Sequence, residues 1–220
     1  DSLQQRALAR KEFEVWYQPK YNLTTQKCIG AEALVRWRSR ELGFLAPAQF
    51  IPRFECNGFI TQLDFYMLSR VMEFQKRRHA TGVPVVTISV NQSRLHMQEK
   101  NYLTYMQRLK TYYEARDIEL ELTETAFDLN TPELRQHALH VMKIDRSLLL
   151  ASQGTKRMQA VLARMIDLGH ALSMTVICEG IETREQEDML RSCGCNQGQG
   201  YLYGKPMPEE EFELFLLQHI

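Results

Sequence analysis

The sequence predicts an α/β fold whose mainly parallel sheet closes into a barrel with an antiparallel first strand. Apolar runs alternate along the chain with segments of helical periodicity, which is the pattern of strand–helix units in a parallel sheet. Polar residues also recur where the predicted strands end, and in a β/α barrel those ends converge on one mouth. The residues at these ends are Glu32, Asn91, Glu121, Glu124, Lys143, Glu179 and Gln199.

The strands are predicted from short runs of β-branched, aliphatic and aromatic residues. The first, at residues 13–17, is joined to the second, at 29–34, through a connection rich in turn-forming residues. A parallel crossover needs a dozen or more residues, so this short link predicts that the first two strands are antiparallel. Five further strands are predicted at residues 83–90, 118–123, 139–145, 174–178 and 198–203.

The helices are predicted from apolar residues that recur on one face. The clearest case is 61–79, where Leu63, Met67, Leu68, Val71 and Phe74 share a face and Gly82 ends the helix. Residues 44–58 are expected to form a loop with a short helical piece. The other predicted helices span residues 102–115, the segment from Pro132 to about 137, 155–172, 184–191 and 208–218.

Composition excludes several classes of function. Lys and Arg together number 27, as do Asp and Glu, so the zero net charge argues against binding to a large nucleic acid. No apolar run approaches the roughly 20 residues of a membrane span, which argues against direct insertion into a membrane. The five cysteines fit no zinc spacing, and we expect reduced, mostly buried thiols. The expected location is the cytoplasm, either as a free protein or as the cytoplasmic domain of a membrane-anchored one.

Two interpretations of Glu32 are open from its local sequence. Glu32 lies within an apolar strand, and a buried carboxylate is costly unless it meets a cation or several donors. One interpretation is a structural pair with Arg36. The other is a metal ligand at the end of a strand, with Arg36 placed to meet a phosphate.

The strand-end residues favour metal-assisted hydrolysis when they are considered together, although each has a structural alternative. Asn91 could cap a helix, Glu121 could be a charge on a strand face, Lys143 could be a solvated strand end, and Glu179 could be a charge at the start of a helix. Carboxylate and amide oxygens without His or Cys favour Mg²⁺ or Mn²⁺ over zinc. Such ions suit phosphoester hydrolysis, and Lys143 would supply a fixed charge beside the attacking water.

The motifs at these strand ends resemble those of EAL domains, a bacterial family that hydrolyses cyclic di-GMP to the linear dinucleotide pGpG. They follow the family order over nearly the whole chain. The motifs are Tyr17-Gln18-Pro19, Glu32-Ala33-Leu34-Val35-Arg36-Trp37, Phe50-Ile51-Pro52, Val90-Asn91, Glu121-Leu122-Thr123-Glu124, Lys143-Ile144-Asp145-Arg146-Ser147, Glu179-Gly180-Ile181-Glu182-Thr183, Gln199-Gly200-Tyr201-Leu202 and Lys205-Pro206.

The resemblance implies a role for each matching residue. Metal ligands are implied at Glu32, Asn91, Glu121 and Glu179. Lys143 is implied to position the attacking water, with Glu179 beside it, and Glu124 to brace an active-site loop. Contacts to the bound dinucleotide are implied at Gln18, Arg36, Glu182 and Gln199. The implied fold is a modified TIM-type barrel whose first strand is antiparallel, in agreement with the short first connection.

One departure from the family is substantial. EAL domains carry an Asp-Asp-Phe-Gly motif on the strand before the Lys-Ile-Asp strand, and this sequence has no such motif. The interval from Glu121 to Lys143 holds one β/α unit, whereas the family pattern needs two of roughly 30 residues each. We predict that one unit is missing, with its junction between Thr131 and His140.

Two explanations of the missing unit are open. In the first, the protein itself lacks the unit. In the second, the protein has the unit, but the present sequence omits it and the residue numbers run on without a gap. We favour the second, because losing an interior strand would leave two unpaired sheet edges. In the second case, a spatial break is expected within residues 131–140.

The expected function differs between the two cases. With the unit, we expect a cyclic di-GMP phosphodiesterase; without it, a cyclic di-GMP receptor that does not turn over is the alternative. The whole of residues 1–220 is expected to be a single domain from a larger signalling protein. The other expected partners are linked sensory or GGDEF-type domains. A homodimer is also possible, in which the domain would serve as a dimerisation module.

Overall fold

The computed structural model describes residues 2–93, 95–96, 102–113, 117–122 and 141–220. These residues form two compact parts. Within the described ranges, the first part consists of 2–17, 31–122 and 206–218, and the second part of 18–30, 141–205 and 219–220.

Strands and helices alternate along most of the chain, as predicted. The strands are β1 (Phe13–Asn22), β2 (Lys27–Ser39), β3 (Gly43–Leu45), β4 (Thr87–Gln92), β5 (Ile118–Leu122), β6 (Val141–Ile144), β7 (Thr175–Cys178), β8 (Gln197–Gln199) and β9 (Met207–Pro208). The helices are α1 (Leu3–Ala9), α2 (Ile51–Cys56), α3 (Ile60–Thr81), α4 (Tyr102–Tyr113), α5 (Arg146–Gly154), α6 (Lys156–Ala171), α7 (Arg184–Ser192) and α8 (Glu209–His219).

The first part is built on strands β5, β4 and β2, which are neighbours in that order. β4 and β5 are parallel, with Asn91 in register with Glu121. β3 pairs antiparallel with the end of β2, and β9 pairs antiparallel with Trp16 and Tyr17 of β1. The carboxyl ends of β4 and β5 therefore lie side by side and carry the polar residues predicted there.

Aromatic side chains fill the core of the first part. Phe13 packs against Trp37 with ring centroids 5.2 Å apart, and the Tyr17 ring packs against Phe74 at 5.0 Å and against Phe212 at 4.9 Å. The predicted buried face of α3, Leu63 to Phe74, is confirmed, and its end at Gly82 has the left-handed φ of 69°.

The second part contains β1 from Gln18 onward, the turn at 23–26, and strands β8, β7 and β6. β1 is antiparallel to β8, with Lys20 opposite Gln199, which confirms the predicted antiparallel first strand. β8, β7 and β6 are parallel neighbours, with Lys143 in register with Ile177. The core of this part consists of Leu23, Ile144, Leu149, Leu162, Ile166, Val176, Cys178, Ile181, Leu190 and Cys195.

Several sequence predictions of local structure are wrong. Residues 200–203 do not continue the last strand, because Tyr203 and Gly204 donate backbone hydrogen bonds to the Gly200 carbonyl and the chain turns. Helix α5 precedes α6 and was not predicted; Asp145 caps its start, and extended Thr155 separates the two helices. Strand β3 and helix α1 were also missed. The helix predicted after Pro132 lies outside the described residues.

The five cysteines are free thiols, as expected, and three of them, Cys28, Cys178 and Cys195, are buried. Burial raises the pKa of the Cys28 and Cys195 thiols to about 11, and it also raises the pKa of Cys178. Since the thiolate is the reactive form, these three side chains behave as small apolar residues of the core.

Candidate functional site

Three of the predicted metal ligands come together in the first part. Glu32 of β2 and Asn91 of β4 are linked by a hydrogen bond in which the Asn91 amide Nδ2 donates to Glu32 Oε1 at 2.7 Å. Glu121 follows on β5, directly in register with Asn91. Residues in register on parallel strands project to the same face, so the sheet places these three side chains as neighbours. Glu32 and Glu121 are buried, with 7% and 8% of their surfaces exposed.

Side-chain hydrogen bonds hold this stretch of β2. The Glu32 carboxylate accepts from Asn91, and the Arg36 guanidinium donates to the Val35 carbonyl at 2.8 Å and lies 5.5 Å from the Trp16 ring centroid. A buried carboxylate needs positive charge or donors to offset its lost hydration, and Asn91 supplies one such donor. The metal-ligand and the structural interpretations of Glu32 both stay predictions.

The donors in this set fit a hard divalent cation. Two carboxylates and an amide supply oxygen atoms, the ligand type of Mg²⁺ and Mn²⁺, and offer neither the thiolate nor the imidazole that zinc prefers. Within the described part of the chain, no three His, Cys, Asp or Glu side chains gather as in a complete metal site. Glu32, Asn91 and Glu121 therefore form at most one portion of a ligand set.

The second part brings Lys143 and Glu179 together. Lys143 Nζ lies 2.7 Å from Glu179 Oε1, and both side chains are half-buried. Lys143 lies on β6 and Glu179 directly follows β7, while the Glu179 backbone N–H donates to the Ile144 carbonyl at 2.9 Å. This backbone bond fixes the carboxylate relative to the lysine, so the pair is held by the sheet rather than by side-chain packing alone.

Glu182 forms an ion pair with a residue to which the sequence reasoning gave no role. Arg146 NH2 lies 2.7 Å from Glu182 Oε1, and both side chains are exposed. The Arg146 stem also lies against Gly180, whose φ of 73° and missing side chain permit this approach. The signal was present in the sequence, because Arg146 belongs to the motif that begins at Lys143.

Gln18 and Gln199 also meet in the second part. The Gln199 side chain donates to Gln18 Oε1 at 3.0 Å, and Gln18 donates to the Gly204 carbonyl at 3.3 Å. Gly200 makes this arrangement possible because its Cα lies against the Ile181 backbone, where a Cβ would collide with the Ile181 N and O atoms. The same approach lets Ile181 N–H donate to the Gln199 carbonyl at 3.1 Å.

We expect Gly200→Ala to lower the free energy of unfolding by about 1–3 kcal/mol or more, since an added methyl group meets backbone that cannot rotate away. Chemical denaturation measures this change. Gly154→Ala is the matched control: no atom lies within 4 Å of a Cβ there, and stability should hold or rise. Equal stability of Gly200→Ala and the unmodified protein would show that the Ile181 backbone moves at no cost.

Besides the helix after Pro132, two further sequence predictions fall on residues outside the described ranges. Glu124 is one, and the spatial break expected within 131–140 is the other; both stay predictions. Among the described strands, β5 has β4 as its one neighbour in the sheet and β6 has β7 as its one neighbour. Among the described helices, none is long and apolar enough to cross a membrane.

A comparison with protein-family models finds one family. The model described as EAL domain matches residues 2–142 and, as a second piece, residues 129–206. The two pieces overlap on this chain at 129–142, an interval that contains the predicted junction at 131–140. A match in two pieces is the expected result when a unit of the family is missing from the middle of a chain.

Two curated relatives cover nearly the whole chain. The cyclic di-GMP phosphodiesterase PA2567 of Pseudomonas aeruginosa is 31% identical over 246 residues, which cover 98% of this chain and 42% of the relative. PdeB of Escherichia coli, named a probable cyclic di-GMP phosphodiesterase, is 28% identical over 249 residues, covering 98% of this chain and 47% of the relative. Both alignments exceed the chain's 220 residues, so the relatives carry residues that this sequence lacks. The chain spans less than half the length of either relative.

A solved structure agrees with the predicted fold class. The structure of the PaMucR phosphodiesterase in complex with c-di-GMP superposes with a TM-score of 0.86 and 27% identity, over 95% of this chain and 97% of that one. MucR of Pseudomonas aeruginosa is named a bifunctional diguanylate cyclase/cyclic di-GMP phosphodiesterase. The superposition confirms an α/β fold of the TIM-barrel-like type.

Proposed function

The chain belongs to the EAL domain family, and from that premise we propose that it hydrolyses cyclic di-GMP to linear pGpG with the help of Mg²⁺ or Mn²⁺. The observation that carries the proposal is the Glu32–Asn91–Glu121 set on the neighbouring strands β2, β4 and β5, with its hydrogen bond of 2.7 Å from Asn91 to Glu32. The names of PA2567 and PdeB support the same reaction.

The metal ligands that the first part supplies in this proposal are Glu32, Asn91 and Glu121; the ligand role implied for Glu179 stays a prediction. A divalent ion, when bound, polarises a phosphoryl oxygen and makes water a better nucleophile. The chain's own contribution is to hold carboxylates in a buried place and to aim them with the sheet. The Asn91 amide orients Glu32 through the hydrogen bond described above, which leaves the ligand geometry little freedom.

Lys143 and Glu179 are proposed to act on the attacking water. In the hydrolysis, a new bond forms between the water oxygen and phosphorus, and one ester bond of the ring breaks. Glu179 can accept a hydrogen bond from the water, and the Lys143 ammonium offsets the negative charge that develops during attack. Their 2.7 Å contact keeps both groups together before substrate arrives, so little reorganisation is needed.

The dinucleotide itself is proposed to contact Arg36, Gln18, Gln199 and Glu182. A guanidinium binds phosphate through strong charge-assisted hydrogen bonds, and the Trp16 ring beneath Arg36 limits its freedom. The Gln18–Gln199 pair offers amide donors and acceptors suited to a base or sugar edge. Glu182 would have to exchange its partner Arg146 for the ligand or hold Arg146 toward it.

The full-length protein with Mg²⁺ or Mn²⁺ is expected to convert cyclic di-GMP to pGpG, and a chelator is expected to stop the reaction. Chromatography of the nucleotides measures turnover, and equilibrium dialysis measures binding in parallel. Restoring the ion after chelation is the control for unfolding. If the protein binds cyclic di-GMP but cleaves it with neither Mg²⁺ nor Mn²⁺, the phosphodiesterase proposal is wrong and the receptor proposal remains.

The receptor is the second candidate, and one observation favours it. The sequence has no Asp-Asp-Phe-Gly motif, and the relatives align with residues that this chain lacks. Without an aspartate pair a second ion would be poorly held, whereas ligand contacts through Arg36 and Gln18 could persist. The intact mass of the purified protein distinguishes a chain that contains about 30 further residues from one that does not.

The remaining partners stay predictions. A fusion to GGDEF-type or sensory domains is supported by the name of MucR and by the fraction of each relative that this chain covers. A homodimer is supported by exposed apolar side chains on one face of α6 and just after it, at Val161, Met165, Leu168 and Leu172, because their spacing alternates between four and three residues. A cytoplasmic location and a single functional domain for residues 1–220 also remain proposals, as does the bracing role of Glu124.

A further inference from the structure

Buried polar side chains hold the backbone directly after Asn91. The Ser93 backbone N–H donates to Asp64 Oδ2 at 2.7 Å, and the Gln92 side chain donates to the Asn91 carbonyl at 2.9 Å. Ser93 and Gln92 are 4% and 0% exposed, so water cannot replace these bonds. The segment that leaves β4 is therefore held at two successive positions by side chains.

Each of these side chains is held in turn by an aromatic residue. His96 Nε2 lies 3.1 Å from Asp64 Oδ2, and the Tyr102 hydroxyl donates to Gln92 Oε1 at 3.0 Å. The His96 and Tyr102 rings stack with their centroids 4.7 Å apart. The four residues Asp64, Gln92, His96 and Tyr102, called here the β4 clamp, thus form one connected network around Ser93.

Asp64 tolerates burial only because of this network. Burial raises the pKa of the Asp64 carboxyl, and the hydrogen bonds from His96 and Ser93 act in the opposite direction. One oxygen, Oδ2, accepts both bonds, so loss of His96 would weaken the anchor on Ser93 as well. A buried carboxylate that loses a donor is destabilised by a full desolvation penalty.

An Asp–His pair can be a catalytic pair, but the burial of this one argues for a different role. The His96 side chain is 0% exposed, so neither water nor a dinucleotide can reach the ring in this fold. A general base must lie within hydrogen-bond reach of the proton that it removes. What the pair does reach is the backbone two residues after Asn91.

We propose that the β4 clamp is a set of positioning residues that aim Asn91 at Glu32 and thereby set the affinity of the first part for its divalent ion. The proposal rests on the proposed function in one respect, since it takes Asn91 and Glu32 as metal ligands. Residues that do not touch the metal but orient its ligands typically support metal affinity, and their removal lowers it by about 10- to 100-fold. The clamp does so through the backbone at 91–93.

The test measures Mn²⁺ affinity by calorimetry on the full-length protein without nucleotide. His96→Phe keeps a ring against Tyr102 and removes the donor to Asp64, so we expect Mn²⁺ affinity to fall by about 10-fold or more. His96→Gln restores a donor of similar reach and should recover most of the loss. Tyr102→Phe removes a single hydroxyl from the β4 clamp. It tests the same proposal if the His96 variants fail to fold.

Gln75→Met is the matched control at the opposite end of β4. Gln75 is also buried, and its amide donates to the carbonyls of Val86 and Asp117 at 2.8 and 2.9 Å, before β4 and β5 begin. Its replacement should reduce stability and leave Mn²⁺ affinity unchanged. An equal loss of affinity in Gln75→Met and His96→Phe would overturn the clamp, because the effect would then follow from stability alone.

Turnover separates this proposal from the proposed function. If the unmodified protein binds Mn²⁺, His96→Phe binds it weakly and His96→Gln recovers most of the affinity, the clamp stands even where no cyclic di-GMP is cleaved. If cyclic di-GMP is cleaved and His96→Phe binds Mn²⁺ normally, the function stands and the clamp is wrong. If the folded, unmodified protein binds neither Mn²⁺ nor Mg²⁺, both are overturned.

Discussion

Glu32→Ala is expected to abolish hydrolysis of cyclic di-GMP while the protein stays folded. The substitution removes a buried carboxylate whose Oε1 accepts the Asn91 hydrogen bond, so one ligand is lost and another loses its orientation. An ion held by oxygen ligands depends on both charge and geometry, and its contribution to the transition state is worth several kcal/mol. The rate should fall by about 10³-fold or more, because each 1.36 kcal/mol is a factor of ten.

Single-turnover assays with Mg²⁺ or Mn²⁺, beside thermal unfolding, measure this effect. Glu32→Gln separates charge from shape, since it retains an acceptor for Asn91 and loses the negative charge; we expect it to be nearly as inactive. Glu14→Ala is the matched control in the same part, because Glu14 pairs with Arg38 at 2.6 Å and lies outside the site. Undiminished turnover in Glu32→Ala would show that Glu32 is structural.

Lys143→Ala and Arg36→Ala are expected to have opposite kinetic signatures. Lys143 is placed beside Glu179 to stabilise the attack, so its loss should lower kcat by about 10²–10³-fold and change cyclic di-GMP affinity little. Arg36 faces phosphate already in the ground state under this proposal. Its loss should weaken binding by about 10- to 100-fold, the value of a hydrogen bond to a charged group.

Turnover and equilibrium binding of cyclic di-GMP are measured together on each variant. Lys143→Met, which preserves the length of the side chain, tests whether charge is the cause and should resemble Lys143→Ala. Arg38→Ala controls for Arg36→Ala, because Arg38 is exposed, lies two residues further along β2 and pairs with Glu14. A drop in affinity with unchanged kcat in Lys143→Ala would place that lysine among the ligand contacts instead.

The fold class could be predicted because it rests on periodicity, which is a local property of the chain. The apolar face of α3 and the short link between β1 and β2 each required a single structural solution. Element boundaries were less predictable. Residues 200–203 have the apolar and aromatic content of a strand, but the Gly200 carbonyl accepts two backbone hydrogen bonds that turn the chain. Tertiary contacts decide such cases, and local propensity does not record them.

The candidate site divides in the same way. The candidates Glu32, Asn91, Glu121, Lys143 and Glu179 could be selected from the sequence by chemistry and motif order, and their roles stay predictions. Arg146 was passed over, although it lies in a quoted motif, because nothing in a linear pattern shows that it reaches Glu182. A pairing between residues far apart in sequence depends on how helices and strands pack.

The sequence by itself therefore determined the family, the order of the strands along the chain and the residue types at their ends. It also showed that a unit of the family pattern is missing, because length and motif spacing are countable. Only the tertiary structure decided that Glu32 accepts a hydrogen bond from Asn91, and that Asp64 and His96 hold the backbone beyond β4. The physical reason is that a buried polar side chain must be hydrogen-bonded, whereas an exposed one can bond to water instead. Burial exists only once the chain has folded.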